Sequence, residues 1–223
     1  MNMELFERVY PSIYSSDHLR LLEELRRVEG AGFTHLHVDI QDSSLGLNVS
    51  FGMKVVWGLN ALTGMKLQVH LMVAEPLHFV EELKGLEHVD EVLFHPGPVA
   101  YPGRVLNAIR ALGLKAGFAL TPVEPLEELA YYRGRIDSIL IWTGEPDGGK
   151  GKFDQGALQK VARARDMFGE KTAVFTDGDM NNETIPQVAA AGASHFIMGR
   201  DIFGVGNLQE KVYGLEQLMG KLG

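Results

Sequence analysis

Two kinds of hydrophobic pattern alternate along the chain. Short runs that alternate apolar and polar residues, or that are continuously apolar, read as strands. Longer stretches whose apolar positions recur every three to four residues read as helices. The strand-like runs are 9–13, 35–40, 67–72, 91–95, 116–120, 138–142, 173–176 and 195–198. Between them lie helix-like stretches at 17–29, 76–86, 105–112, 125–132, 155–168 and 183–191. Asp17 is placed to cap the first of these, with Leu19, Leu21, Leu22 and Leu25 on one broad face. Glycine follows several helix-like stretches, as in EGAG, RALG and AAAG, where a helix C-cap is expected. About eight strand–helix units in 223 residues predict an α/β fold, a TIM (β/α)8 barrel occupying residues 1–223 as a single domain. An open doubly wound sheet is the competing architecture, but units so evenly spaced leave little chain for a second domain.

That prediction gives the polar residues a geometry. In a barrel of this kind chemistry gathers where strands end and the following loops begin. Ser12, Asp39, His70, His95, Thr143, Asp177 and Gly199 all fall at or just past such ends. Within 35–40, His35, His37 and Asp39 alternate with Leu36, Val38 and Ile40, so His37 and Asp39 share the barrel's inner face. His35 has the same parity but lies deeper, as a hydrogen-bonded histidine of the barrel floor. A lone interior histidine or strand-end aspartate is usually structural. Four such residues, His37, Asp39, His70 and Asp177, form a set suited to one divalent metal, which would also relieve the cost of burying two carboxylates together. With aspartates free to act as bases, such a set points to a metal-assisted enzyme moving protons on carbon.

Composition narrows the partners. Hydrophobic residues make up 45% of the chain and charged residues 22%, enough apolar material for a sizeable core. The net charge of −8 argues against a general nucleic-acid binder, while leaving room for a local cluster of donors around an anion. There is no cysteine, which removes thiolate ligands and nucleophiles. No signal-peptide pattern and no membrane-length apolar run are present, so a cytoplasmic protein with no membrane partner is expected.

The segments HVDIQD…NVSFG, VHLMVAEP, WTGEPDGGKGKF and FTDGDMNN…AAAGASHFIMGRDIF resemble, in order and spacing, the ribulose-phosphate 3-epimerase family, and YPSIYSSD resembles its first strand. The similarity runs from about Tyr10 to Phe203. It implies a TIM barrel and a homo-oligomer. It also implies one divalent ion (Zn, Mn, Fe or Co) on His37, Asp39, His70 and Asp177, with Asp39 and Asp177 as the acid/base pair. Ser12 is then a substrate contact. The implied reaction inverts the carbon next to the ketone of a small phosphorylated sugar, ribulose 5-phosphate or a related ketose phosphate. Proton removal there gives an enediolate, which a cation stabilises by several kcal/mol, and inversion needs a second group on the opposite face.

The departures from that family pattern concern the substrate. Met72 matches one of the methionines that line the family's metal pocket, whereas Gln41 and Trp142 replace two others. The segment Ser43–Ser44–Leu45–Gly46–Leu47–Asn48 replaces a Gly-His-Phe-Val-Pro-Asn loop. In the phosphate-binding loops, Pro146–Asp147–Gly148–Gly149–Lys150–Gly151 and Gly178–Asp179 stand for glycine-rich stretches, and Arg200 follows Gly199 in place of a small residue. Gly149, Lys150, Gly178, Gly199 and Arg200, with Lys152 beside them, are therefore the candidate anion contacts. Since Asp147 and Asp179 would repel a phosphate they faced, two readings stand: a rearranged phosphate grip, or an anionic group other than the usual terminal phosphate. The alternatives to weigh are a solvated lysine at Lys152 and a salt bridge of Arg200 with Asp179 or Asp201. His95 is a further candidate substrate contact. Two other functions remain in view: a non-catalytic sugar-phosphate-binding barrel, and a barrel lyase or aldolase, which the lack of a lysine in HVDIQD disfavours.

Overall fold

A computed structural model describes residues 3–46, 48–145 and 151–222. Eight parallel strands form its centre: β1 (Val9–Pro11), β2 (His35–Gln41), β3 (Lys66–Met72), β4 (Val89–Phe94), β5 (Lys115–Leu120), β6 (Ser138–Trp142), β7 (Ala173–Asp177) and β8 (His195–Met198). They hydrogen-bond in the order β1-β8-β7-β6-β5-β4-β3-β2. A parallel bridge between Ser12 and His37 joins the two end strands and closes the barrel. The helices are α1 (Met3–Arg8), α2 (Leu21–Gly30), α3 (Met53–Leu62), α4 (Pro76–Glu81), α5 (Pro102–Ala111), α6 (Ala157–Phe168), α7 (Ile185–Ala190), α8 (Arg200–Phe203) and α9 (Leu208–Leu222).

Strand alternation divides the apolar core in two. Outward-facing Leu36, Val38, Leu67, Val69 and Leu71 are wholly buried against the helical layer. Each such side chain contributes about 1.5–3 kcal/mol of burial before the entropic cost of ordering it. The barrel interior holds a separate cluster of Tyr10, Met72, Leu93, Ala119, Leu140, Trp142, Phe175 and Ile197. At its floor Tyr10 stacks on His35 with ring centroids 4.4 Å apart, and Phe175 stacks on His195 at 4.5 Å. His35 also has Thr34 Oγ1 2.9 Å from its Nδ1, so it is the hydrogen-bonded floor residue its parity implied.

The helices depart from the sequence reading in ways that have local causes. In 17–29, Asp17 caps a short 3-10 turn, accepting from the Leu19 amide at 3.0 Å, and α2 begins only at Leu21. The expected apolar face is narrower than read: Leu19 is 97% exposed, and Leu25 and Val28 carry the packing. The stretch 125–132 is a 3-10 helix over Glu127–Tyr132 rather than an α-helix. The first strand stops at Pro11, since Ile13 already belongs to a 3-10 turn. Four helices, α1, α3, α8 and α9, fall outside the helix-like stretches of the sequence. In α3, MKVVWGLNAL is so continuously apolar that its helical period is hidden.

Candidate active site

Register assembles the site. The parallel pairing of β2 with β3 sets His37 beside Gln68, Asp39 beside His70, and Gln41 beside Met72. The pairing of β6 with β7 sets Trp142 beside Asp177. All these residues have inward parity, so the barrel brings them to its C-terminal mouth. His37, Asp39, His70 and Asp177 each present one ligand atom, and these atoms all lie within 4.8 Å of one another. The four residues placed together by sequence reasoning are therefore together in space.

Asp39 is the hub. Its Oδ2 accepts from Ser12 Oγ at 2.7 Å, and its Oδ1 lies 3.1 Å from His37 Nε2 and 3.3 Å from His70 Nδ1. The second of these contacts lacks hydrogen-bond directionality, so His70 Nδ1 is buried without a hydrogen-bond partner. A buried nitrogen left bare beside two carboxylates suits a metal ligand, because a cation satisfies its lone pair. His37 Nδ1 lies 2.6 Å from Gln68 Oε1, so that nitrogen carries a proton and Nε2 faces the cluster. Gln68 in turn donates to Glu91 at 2.5 Å, and Ser138 Oγ donates to the other Glu91 oxygen.

The electrostatics of the cluster are those of a shared charge. Burial raises the Asp39 carboxyl, but the flanking His37 and His70 outweigh it and hold the group well below the usual carboxylate range. Burial and then the Asp39 charge push Asp177 up to about 7. Burial lowers His37, and the Asp39 carboxylate more than offsets it, for a net rise. His70 falls to about 4, chiefly through burial. Two carboxylates that cannot both ionise comfortably, next to a bare imidazole nitrogen, fit a divalent cation.

A cavity of about 320 Å³ opens over the cluster. Ser12, Asp39, Gln41, Met72, Trp142, Asp177, Gly178, Gly199 and Arg200 line it. Of the remaining candidates, Gly149 and Lys150 lie outside the described residues, as does Asp147. His95 does not line the cavity: it is 1% exposed and stands behind His70. Lys152 is exposed, as a solvated loop lysine would be. Tyr14, Ser15 and Asn48 also line the cavity; they lie in the segments YPSIYSSD and NVSFG but are not among the candidate contacts. Among the described residues no lysine does.

Beyond the end of β8, Arg200 Nη2 lies 2.9 Å from Asp179 Oδ1 and 2.6 Å from Gly151 O. Of the two carboxylates considered for Arg200, the pair forms with Asp179. Asp201 instead pairs with Lys211. Gly178, with φ 119°, makes the turn that brings Asp179 under Arg200. A Cβ at Gly178 would also press within 3.0 Å of Thr143 Oγ1.

The sequence and fold have known counterparts. Residues 8–203 match the family described as the ribulose-phosphate 3 epimerase family. The ribulose-phosphate 3-epimerase of Methanocaldococcus jannaschii is 33% identical over 213 residues, which covers 94% of this chain and 90% of that protein. The corresponding protein of Synechocystis sp. is 35% identical over 212 residues, covering 93% and 92%. Among solved structures, a tryptophan synthase complex from Pyrococcus furiosus aligns with a TM-score of 0.69 at 14% identity, covering 96% of this chain and 98% of the other. The orotidine 5′-phosphate decarboxylase of Pyrococcus horikoshii aligns with a TM-score of 0.66, also at 14% identity, covering 95% and 99%. These structural likenesses show the barrel and carry no chemistry.

Proposed function

Since the chain belongs to the ribulose-phosphate 3-epimerase family and is an epimerase of sugar phosphates, we propose that Asp39 and Asp177 are its acid/base pair, inverting the carbon next to the ketone of a ketose phosphate. One observation carries this reading. Asp39 from β2 and Asp177 from β7 both face the cavity, with their ligand atoms within 4.8 Å of each other. Inversion needs one group to remove the proton from one face and another to return a proton to the opposite face. The two carboxylates supply those two groups, and their roles exchange with the direction of reaction.

His37, Asp39, His70 and Asp177 would hold one divalent ion, and the bare His70 Nδ1 supports that assignment. Such an ion supplies positive charge where the negative charge of the enediolate develops. Ser12 fixes the Asp39 carboxylate by donating to Oδ2, leaving Oδ1 on the cluster side. Trp142 and Met72 form apolar walls that exclude water from the reacting carbon, and Gln41 offers both a donor and an acceptor to a sugar hydroxyl. Arg200 and the Gly178 and Gly199 backbone are the grip for the substrate's anionic end.

The absence of a lysine among the described lining residues disfavours a lyase or aldolase. Incubation of the metal-loaded protein with a panel of ketose phosphates in deuterated water tests the reading. The expected result is deuterium at the carbon next to the ketone together with formation of the epimer. Failure of exchange with every ketose phosphate, in protein shown to hold its ion, would overturn it.

A further inference from the structure

His70 has a second nitrogen, and what it touches is unusual. Its Nε2 lies 3.1 Å from Nε2 of His95, and both rings are fully or almost fully buried. Two imidazole nitrogens at this distance need one proton between them, and the side that carries it decides the tautomer of both rings. The opposite nitrogen of His95, Nδ1, lies 3.3 Å from Glu124 Oε2. Glu124 also accepts from the Thr121 amide at 2.7 Å. Lys160 Nζ donates to the backbone oxygens of Thr121 at 2.6 Å and of Glu124 at 2.5 Å, which pins this loop in place.

We propose that Glu124, acting through His95, is a positioning residue that keeps the proton of His70 on Nε2 and so turns the Nδ1 lone pair of His70 into the metal cluster. This rests on the reading of His37, Asp39, His70 and Asp177 as metal ligands. An ionised carboxylate only accepts, so Nδ1 of His95 must carry its proton and donate to Glu124. The neutral His95 ring is then bare at Nε2 and accepts from His70 Nε2–H. A neutral His70 protonated on Nε2 is bare at Nδ1, the atom that faces Asp39 and has no hydrogen-bond partner.

The opposite arrangement is the one Asp39 favours. With Oδ1 3.3 Å away, Asp39 draws a proton onto His70 Nδ1, where it would block a metal. Glu124 opposes that pull from the other end of the chain of rings. Trp142 holds the chain in line, edge-on to His95 at 4.9 Å and to His70 at 5.9 Å between ring centroids. Gly97 makes the space: a Cβ built there would lie 2.6 Å from Glu124 Oε1. Glycine at 97 thus lets the carboxylate reach His95, and any side chain there presses it away.

The test is ring-nitrogen NMR of histidine-labelled, metal-free protein, recorded where both rings are neutral. The wild type is expected to show His70 protonated on Nε2 and His95 on Nδ1. Glu124→Leu and Gly97→Ala, which remove or displace the carboxylate, are expected to move the His70 proton toward Nδ1. Both are expected to weaken divalent-ion affinity by about 10–100-fold, with Glu124→Gln between them and wild type. His70 protonated on Nδ1 in the wild type, or a His70 tautomer unchanged in both folded variants, overturns the proposal. The two readings fail separately, because a wild type that binds no divalent ion while its tautomers shift as described refutes the metal site and leaves the relay standing.

Discussion

At the scale of single residues the site is organised around atoms with two demands on them. Asp39 faces Ser12 with one oxygen and two imidazoles with the other. Replacing Asp39 or Asp177 by Asn removes one proton carrier while nearly preserving shape, and each change is expected to lower turnover by about 10²–10⁴-fold. The loss should fall on kcat, measured with metal-saturated protein, and an Asp177→Asn enzyme that still inverts at wild-type rate refutes the pair. Arg200 makes a different case. Its partners Asp179 and Gly151 hold it at the cavity wall, where a charge-assisted bond to an anion is worth about 1.5–3 kcal/mol. Arg200→Ala is therefore expected to raise KM for a phosphorylated ketose about 10–100-fold with a much smaller change in kcat. The sequence exposed His37 and Asp39 through strand parity, and His70 and Asp177 through their strand-end positions. It did not expose Glu124, one of several glutamates in a polar stretch, because its role depends on a loop folding back beneath His95 and on the space left at Gly97.

At the scale of elements, strands were more legible than helices, and the reason is visible in particular segments. A barrel strand is apolar on its outer face and selective on its inner face, so β2, β3 and β6 announce themselves within a few residues. Helices carry their signal over a longer window and can lose it. The apolar residues of α3 crowd out its period, and the Glu127–Tyr132 stretch is too short to show whether its turns are α or 3-10. Register is the other element-scale property that sequence alone does not give, and it is what sets Asp39 beside His70. Its tightest point lies on β5. A Cβ at Gly117 would stand 2.5 Å from the backbone oxygen of Ser138 and 2.7 Å from Leu93 Cδ2. Backbone cannot yield as a flexible side chain does, so Gly117→Ala forces β5 and β6 apart. It is expected to cost about 1–3 kcal/mol in denaturant unfolding. An unchanged unfolding midpoint would mean that the strands part without penalty.

At the scale of the whole molecule, the mouth of the barrel is a place where folding itself is opposed by charge, and this gives Asp177 in the metal-free protein a contribution to pH dependence with a definite sign. Asp177 is raised in the folded state, to about 7, by burial and by the Asp39 carboxylate, while in the unfolded chain a carboxyl of this kind titrates near about 4. Between those two values the unfolded chain has released a proton that the folded protein still holds. The contribution of Asp177 is therefore fully present below about pH 4 and is lost as pH rises through about 7. The groups shifted downward, Asp39 and Glu124, act in the opposite sense: their contributions are present above the unfolded carboxylate value and lost as pH falls through their lower folded values. From about pH 5 to pH 8 those two are ionised throughout, but the lowered His35, His70 and His195 add stability as pH rises and the raised His37 loses it, so the Asp177 share is the difference between stripped wild type and Asp177→Asn. A cation bound to the four ligands needs Asp177 ionised, so it binds more tightly as pH rises over the same window and adds RT ln(1 + [M]/Kd) to stability. The expected result is a gap between the melting temperatures of metal-loaded and chelator-stripped protein that widens from about pH 5 to pH 8. Asp177→Asn, which has no proton to lose, should lack the Asp177 share of the pH dependence and melt several degrees above stripped wild type at the upper end, at roughly 2–4 °C per kcal/mol for a chain of this size. Parallel melting curves for stripped wild type and Asp177→Asn across that range would show that the two carboxylates do not share their charge.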